Sequence, residues 1–120
     1  MSETEIQNNI KAALNKLPGV ICYRNSVFAG RMPSGYYASA GLGKGSADLI
    51  CCVNGTFLAL EVKVPGKKAE EHQKAWGQAL TDRGGVYKVV SSVTEAVAVV
   101  RETQHAGRTS GVPTKSGQAD

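Results

Sequence analysis

No stretch of this 120-residue sequence has an apolar run long enough to span a bilayer. The amino-terminal segment MSETEIQNNIKAALNKL also carries charge where a secretory leader needs an apolar core. Both features lead to the expectation of a cytoplasmic chain. Cysteine is scarce, three residues with no C-x-x-C among them, which argues against a zinc site or a disulfide framework. Cys51 and Cys52 are neighbours in an apolar run, so their side chains should point to opposite faces of a strand and act as small buried hydrophobes. There is no internal repeat. The segment GLGKGS resembles a phosphate loop, but Ala38 stands where a Walker motif ending at Lys44 needs Gly, and Gly45 stands where it needs Ser or Thr. A strand rather than a helix follows it, so nucleotide binding through this motif is excluded.

What is present fits one compact domain, with 42% hydrophobic residues in a chain too short for two cores. Fourteen Lys and Arg against ten Asp and Glu give a formal charge of +4 and a pI near 9.1. That balance tilts mildly toward a polyanionic partner.

Ile6, Ile10, Ala13, Leu14 and Leu17 recur at helical spacing and predict a helix over 2–17, ended by Pro18-Gly19. Val20 to Val27 has the β-branched and aromatic content of a strand. Phe28 to Gly45 is Gly-rich and aperiodic, and reads as a long functional or mobile loop. Ser46–Val53 and Thr56–Val64 are predicted as a hairpin, because Asn54-Gly55 tolerates the positive φ angles of a tight turn. Pro65-Gly66 breaks the second strand, and Lys67 to Arg83 fits a helix with Ala69, Gln73, Trp76 and Leu80 on one face. Val86–Val90 is a short strand reached by a right-handed parallel crossover. Ser92 and Glu95 have capping-box spacing before a closing helix. Beyond Arg101 the composition offers little to bury, giving a domain over 1–101 and a disordered tail over 102–120. The fold class is α/β, a mixed four-stranded sheet flanked by helices in the order α-β-β-β-α-β-α.

The hairpin register determines where its charges fall. With Asn54 and Gly55 in the turn, Val53 faces Thr56, Cys52 faces Phe57, and Asp48 faces Glu61. Alternation then places Asp48, Ile50, Cys52, Phe57, Ala59, Glu61 and Lys63 on one face. Two carboxylates with Cβ atoms about 5 Å apart repel by roughly 3 kcal/mol at an effective dielectric near 20. A cation or a shared proton must relieve this. Lys63 neutralises part of it, and two hard oxygen ligands with open water positions suit a Mg²⁺-type ion. Glu3 is in phase with the buried stripe of the first helix and Gln73 with that of the second, so both can look toward the sheet.

Each residue also has a plainer reading. Asp48 and Glu61 can be an exposed pair at a sheet end, Lys63 a strand-end lysine reaching solvent, and Gln73 a rim residue. Glu3 can simply favour a helix N-terminus, and Tyr36 and Tyr37 can pack the long loop onto the core. His72 reads as solvent-exposed and takes no role.

Gly45 and Asp48 of GSAD, Glu61 and Lys63 of EVK, Glu3 in the first helix and Gln73 of EEHQKAW together resemble the PD-(D/E)xK nuclease superfamily. Within it they are most similar to the VRR-NUC family in its small stand-alone phage and bacterial form, over about Ser2 to Val100. Ala47 replaces the usual Pro before the first Asp. The resemblance implies a restriction-endonuclease-like core and a metal-dependent DNA endonuclease. Asp48, Glu61 and the backbone carbonyl of Val62 would hold Mg²⁺ or Mn²⁺, with Glu3 contributing directly or through water. Lys63 would position the attacking water or stabilise phosphate charge, and Gln73 would orient either. It further implies branched DNA such as Holliday junctions or flaps, a homodimer, and a bacterial or phage-infected cell. Arg31, Tyr36, Tyr37 and Lys44 of the long loop, with Lys67, Lys68 and Lys74, would then contact DNA. Two other readings stand beside it: a nucleic-acid-binding or protein-interaction module that keeps the fold without catalysis, and another branch of the superfamily such as an archaeal-type junction resolvase.

Overall fold

The computed structural model describes residues 1–110, and the side chains of 1–107. Helix α1 spans Glu3–Leu14, and Ser2 caps it by accepting from the Glu5 N–H while the Glu5 carboxylate accepts from the Ser2 N–H. Strand β1 (Val20–Arg24) follows, then β2 (Phe28–Arg31), β3 (Tyr37–Ala40), β4 (Leu49–Val53) and β5 (Thr56–Val62). Helix α2 (Glu71–Asp82), β6 (Val86–Val90) and α3 (Val93–Ser110) complete the order.

The main sheet runs β1-β4-β5-β6, with β1/β4 and β4/β5 antiparallel and β5/β6 parallel. This is the mixed four-stranded sheet flanked by helices that the hydrophobic pattern predicts. Asn54 (φ 50°) and Gly55 (φ 89°) both adopt the left-handed conformation that a two-residue hairpin turn demands. Val53 therefore faces Thr56, and the register continues to Leu49 opposite Leu60.

One face of the sheet carries the core. Leu49, Cys51, Val53, Leu58, Leu60 and Val62 are buried there against Ile6, Ile10 and Leu14 of α1 and Ala96 and Val100 of α3. Helix α2 lies on the opposite face, where Trp76 meets the ring of Tyr87 edge to face at 6.1 Å between centroids. A Cβ on Gly77 would come within 2.4 Å of that ring, so this position of α2 has no room for a side chain. The rest of the second face is open: Ile21 and Tyr23 of β1 are 52% and 66% exposed, and Phe57 is also exposed.

Four expectations are corrected. The segment 28–45 is not an irregular loop, since its central part forms the β2–β3 hairpin, a separate two-stranded ladder. Its strands are four residues long and mostly exposed, so no apolar alternation advertises them. Helix α2 begins at Glu71 rather than Lys67, because the turn at Pro65-Gly66 runs on until Glu70 and Gln73 form a capping contact. Cys52 is exposed, on the part of the face that α2 leaves open. Finally, α3 does not stop at Arg101 but runs to Ser110. Thr103 is buried on it, and the Gln104 Nε2 donates to the Pro18 carbonyl at 3.1 Å. The remainder of the expected tail, 111–120, lies outside the described residues.

A chain ended at Arg101 should keep the sheet but lose about 1–2 kcal/mol of stability, through the uncovered Thr103 site and the lost Gln104 contact. Urea unfolding followed by circular dichroism checks this, and an unchanged midpoint would show the last turns to be passengers.

Candidate metal centre and polar cleft

Backbone pairing of β4 with β5 ends at Leu49 and Leu60, one step short of the two acids. The Asp48 side chain takes over from there. Its Oδ2 accepts the Val62 N–H at 2.8 Å, while the Asp48 carbonyl accepts the Asn25 N–H at 2.8 Å. In a strand, a residue's N–H and C=O point to the same side, so the Val62 carbonyl opens on the β4 side, beside Asp48.

Glu61 stands next to this carboxylate. It is only 2% exposed, and Asp48 stands close enough for its negative charge to act on the Glu61 carboxyl. Its Oε2 accepts from Gln73 Nε2 at 3.0 Å and lies 3.8 Å from Lys63 Nζ, while Oε1 is buried without a hydrogen-bond partner among the described residues. Burial first, then the negative charge of Asp48, push its pKa up to about 8. The nearby Lys63 opposes that rise without cancelling it.

The orientation of Gln73 is locally determined. Its Oε1 accepts the Glu70 N–H at 2.8 Å, in the capping contact that starts α2, which leaves its NH₂ to face Glu61. One side chain thus ends a helix and reaches a carboxylate.

Asp48 and Gln73 open onto a polar cleft of about 460 Å³, also bordered by Gln7, Arg24, Asn25, Lys44, Ser46 and His72. Asn25 braces its wall: Nδ2 donates to Ser46 Oγ (2.8 Å) and the Ala47 carbonyl (2.7 Å), and Oδ1 accepts the Leu42 N–H (3.1 Å). Gly45 is required here, with φ at +86° and an added Cβ only 2.7 Å from the His72 carbonyl.

The structure thus brings Asp48, Glu61, Lys63, Gln73 and the Val62 backbone together. Glu3 is half-buried and joins them only as the weakest of the charges acting on Glu61. Gln7, one turn further along α1, is the residue of that helix that reaches the cleft. Among the expected DNA contacts, Lys44 borders the cleft, and Arg31, Tyr36 and Tyr37 are exposed on the β2–β3 hairpin. Arg31 Nη1 donates to the Gly35 carbonyl there. Lys67 and Lys68 lie exposed before α2, and Lys74, on its surface, pairs with Glu71 at 3.5 Å. Asn25 and Tyr87 were not foreseen. Tyr87 has a buried hydroxyl with no hydrogen-bond partner among the described residues, and its pKa is pushed up to about 12 by burial and by the charges of Glu61 and Asp48. Only the parallel pairing of Tyr87 with Ala59 brings it to this face, and no local pattern encodes that register.

Among the described residues no three His, Cys, Asp or Glu side chains converge into a ready cage. The donors present nevertheless fit a hard divalent cation that keeps most of its waters: two adjacent carboxyls, an orphaned carboxylate oxygen and a strand carbonyl. No protein-family model matches the chain, and no curated protein matches it.

With the metal-free protein, stability should fall as pH rises from the ordinary carboxylate range to about 8. Over that window the folded state keeps a proton on Glu61 that the unfolded chain has released. Glu61→Gln should flatten the slope, which thermal unfolding across pH 5 to 9 in EDTA would measure; an equal slope in the variant would refute the assignment.

Proposed function

We propose that this chain is a Mg²⁺- or Mn²⁺-dependent DNA endonuclease with a PD-(D/E)xK-type core of the VRR-NUC kind. The observation that carries the reading is the buried Glu61 beside Asp48, with a carboxylate oxygen that has no hydrogen-bond partner among the described residues. Without a cation that oxygen is relieved only by the proton that burial and Asp48 hold on Glu61, and a divalent cation bound there would take the proton's place. The strongest competitor, a module that only binds nucleic acid, would place these carboxylates against a polyanion with no return.

Asp48, Glu61 and the Val62 carbonyl would hold the ion, with Glu3 acting through water at most. The bound metal supplies Lewis acidity toward the phosphate and lowers the pKa of an attacking water. Lys63, 9% exposed and 3.8 Å from Glu61, is held where an ammonium can stabilise charge growing on a phosphate oxygen. Gln73 fixes the Glu61 carboxylate and so indirectly Lys63. The polar cleft admits the phosphodiester backbone, and Lys44 with Arg24 supplies positive charge at its border. The β2–β3 hairpin, whose strands among the described residues pair only with each other, carries Arg31, Tyr36 and Tyr37 outward as an arm that lies along a duplex. Branched DNA is the substrate class in keeping with such an arm and with two sites.

Two sites require a homodimer, and the open sheet face supplies a surface for it. Ile21, Tyr23, Ile50, Cys52 and Phe57 line a shallow apolar groove of about 290 Å³ on adjacent strands. A second copy packed on this face would give a two-fold enzyme to meet a two-fold substrate.

Wild type should cut four-way-junction or flap DNA with Mg²⁺ and not with EDTA. Asp48→Ala should abolish cutting and Lys63→Ala should lower it about 10²- to 10³-fold, with DNA binding retained. Metal-independent cutting, or full activity in both variants, would sink the mechanism, and binding without any cutting would favour the module. Separately, Tyr23→Lys should convert a dimer to monomers in sedimentation equilibrium; a wild-type monomer at high concentration would remove the dimer.

A further inference from the structure

The thiols of Cys22 and Cys51 lie in the core, away from the cleft, and no step above uses them. The register of β1 on β4 sets them directly opposite each other. Hydrogen bonds decide which kind of antiparallel pair this is. The Cys22 N–H donates to Asn15 Oδ1 at 2.7 Å, and the Cys22 carbonyl accepts from Asn15 Nδ2 at 2.9 Å. Both backbone groups of Cys22 therefore turn away from β4. On the other strand, the Val62 N–H faces the β4 side, so by alternation Leu60 and Leu58 do too, and Leu58 takes the backbone groups of Cys51.

Cys22 and Cys51 are thus a non-hydrogen-bonded pair, the kind in which Cα atoms approach to about 4.5 Å and side chains are closest. A disulfide spans Cα separations of about 4.4 to 6.8 Å, so a pair of this kind falls within its reach. The closeness of the two thiols draws Cys22 below the ordinary thiol range and pushes Cys51, which burial also raises, above it. Lys11 of α1 adds a positive charge near Cys22.

We propose that Cys22 and Cys51 form a redox-active cross-strand dithiol, which a small peroxide oxidises to a disulfide that latches β1 to β4. The Cys22 thiolate attacks one oxygen of hydrogen peroxide and the O–O bond breaks. Cys22 becomes a sulfenic acid, and the departing hydroxide takes up the proton that Cys22 gave away, forming water. The Cys51 sulfur then attacks the sulfenic sulfur: the S–S bond forms, the S–O bond breaks, and the hydroxide leaves with the Cys51 proton as a second water. Each sulfur gives up one electron, and the peroxide accepts both. Because β1 is an edge strand, local opening at the Asn15 contact is the route by which peroxide reaches the pair.

The bridge would close a loop from Tyr23 to Ile50, which contains the β2–β3 arm, Asn25 and Asp48. Oxidation therefore restrains the segment that builds the cleft wall, whatever the cleft does. Constraining the unfolded chain in this way should raise resistance to unfolding.

The test uses full-length Cys52→Ser protein, in which the exposed third thiol is gone and two remain. Folded protein is treated with hydrogen peroxide, quenched with catalase, denatured, alkylated and mapped by mass spectrometry. The expected result is loss of both alkylatable thiols, a Cys22–Cys51 linked peptide pair, full reversal by dithiothreitol, and a higher urea midpoint for the oxidised form. Adding Cys22→Ser should abolish the link and the rise in midpoint; because the primary readout is on Cys52→Ser, a fold defect in this second variant leaves it intact. Quantitative alkylation of both thiols after peroxide, sulfinic acid on either without a link, or a linked form no more stable than the reduced one would overturn the proposal.

Discussion

The polar centre of this protein depends on one backbone constraint, the register imposed by the left-handed pair Asn54 and Gly55. That register delivers Asp48 to the point where the β4–β5 ladder runs out, and its carboxylate replaces a strand carbonyl as acceptor for the Val62 N–H. Glu61, Val62 and Lys63 are consecutive, so once Val62 is held by Asp48 the other two side chains must share the opposite face of β5. A slip of one residue would turn Glu61 and Lys63 into the apolar core and carry core leucines out to α2. The cost of such a slip is spread over every core residue of two strands, so the charged centre is held in place by apolar packing it does not touch.

Within the centre, neutral contacts do more of the holding than the ion pair. At 3.8 Å the Lys63–Glu61 contact is at the outer limit of an ion pair, whereas the Gln73 and Val62 hydrogen bonds are 3.0 and 2.8 Å. A neutral amide can restrain a carboxylate without satisfying its charge. That leaves Glu61 oriented but electrostatically unsettled, which is the condition in which a proton or a cation binds. Gln73 acquires its restraint from the capping contact of α2, so the start of that helix and the centre are one structural unit.

Much of this was legible locally. Helical periodicity, the Asn-Gly turn and strand alternation placed α1, the β4–β5 hairpin, β6 and both faces of the sheet, and the register put Asp48 beside Glu61. The features that escaped are those set by distant contacts or by backbone. Asn25 reads as a polar strand residue until the chain from Leu42 to Asp48 returns to it. Tyr87 reaches the centre only through a parallel register and the missing side chain at Gly77. The β2–β3 arm has exposed strands on both sides, so hydrophobic pattern has no purchase on it. The last turns of α3 bury a threonine rather than an aliphatic side chain, which composition discounts.

The Asn15 amide has a consequence beyond its neighbour. By engaging both backbone groups of Cys22, it acts as a one-residue surrogate for a further strand on the outer margin of β1. An edge with unpaired N–H and C=O groups is a template for open-ended addition of other chains. Blocking it midway interrupts that template, so strand addition at the outer margin of β1 is disfavoured.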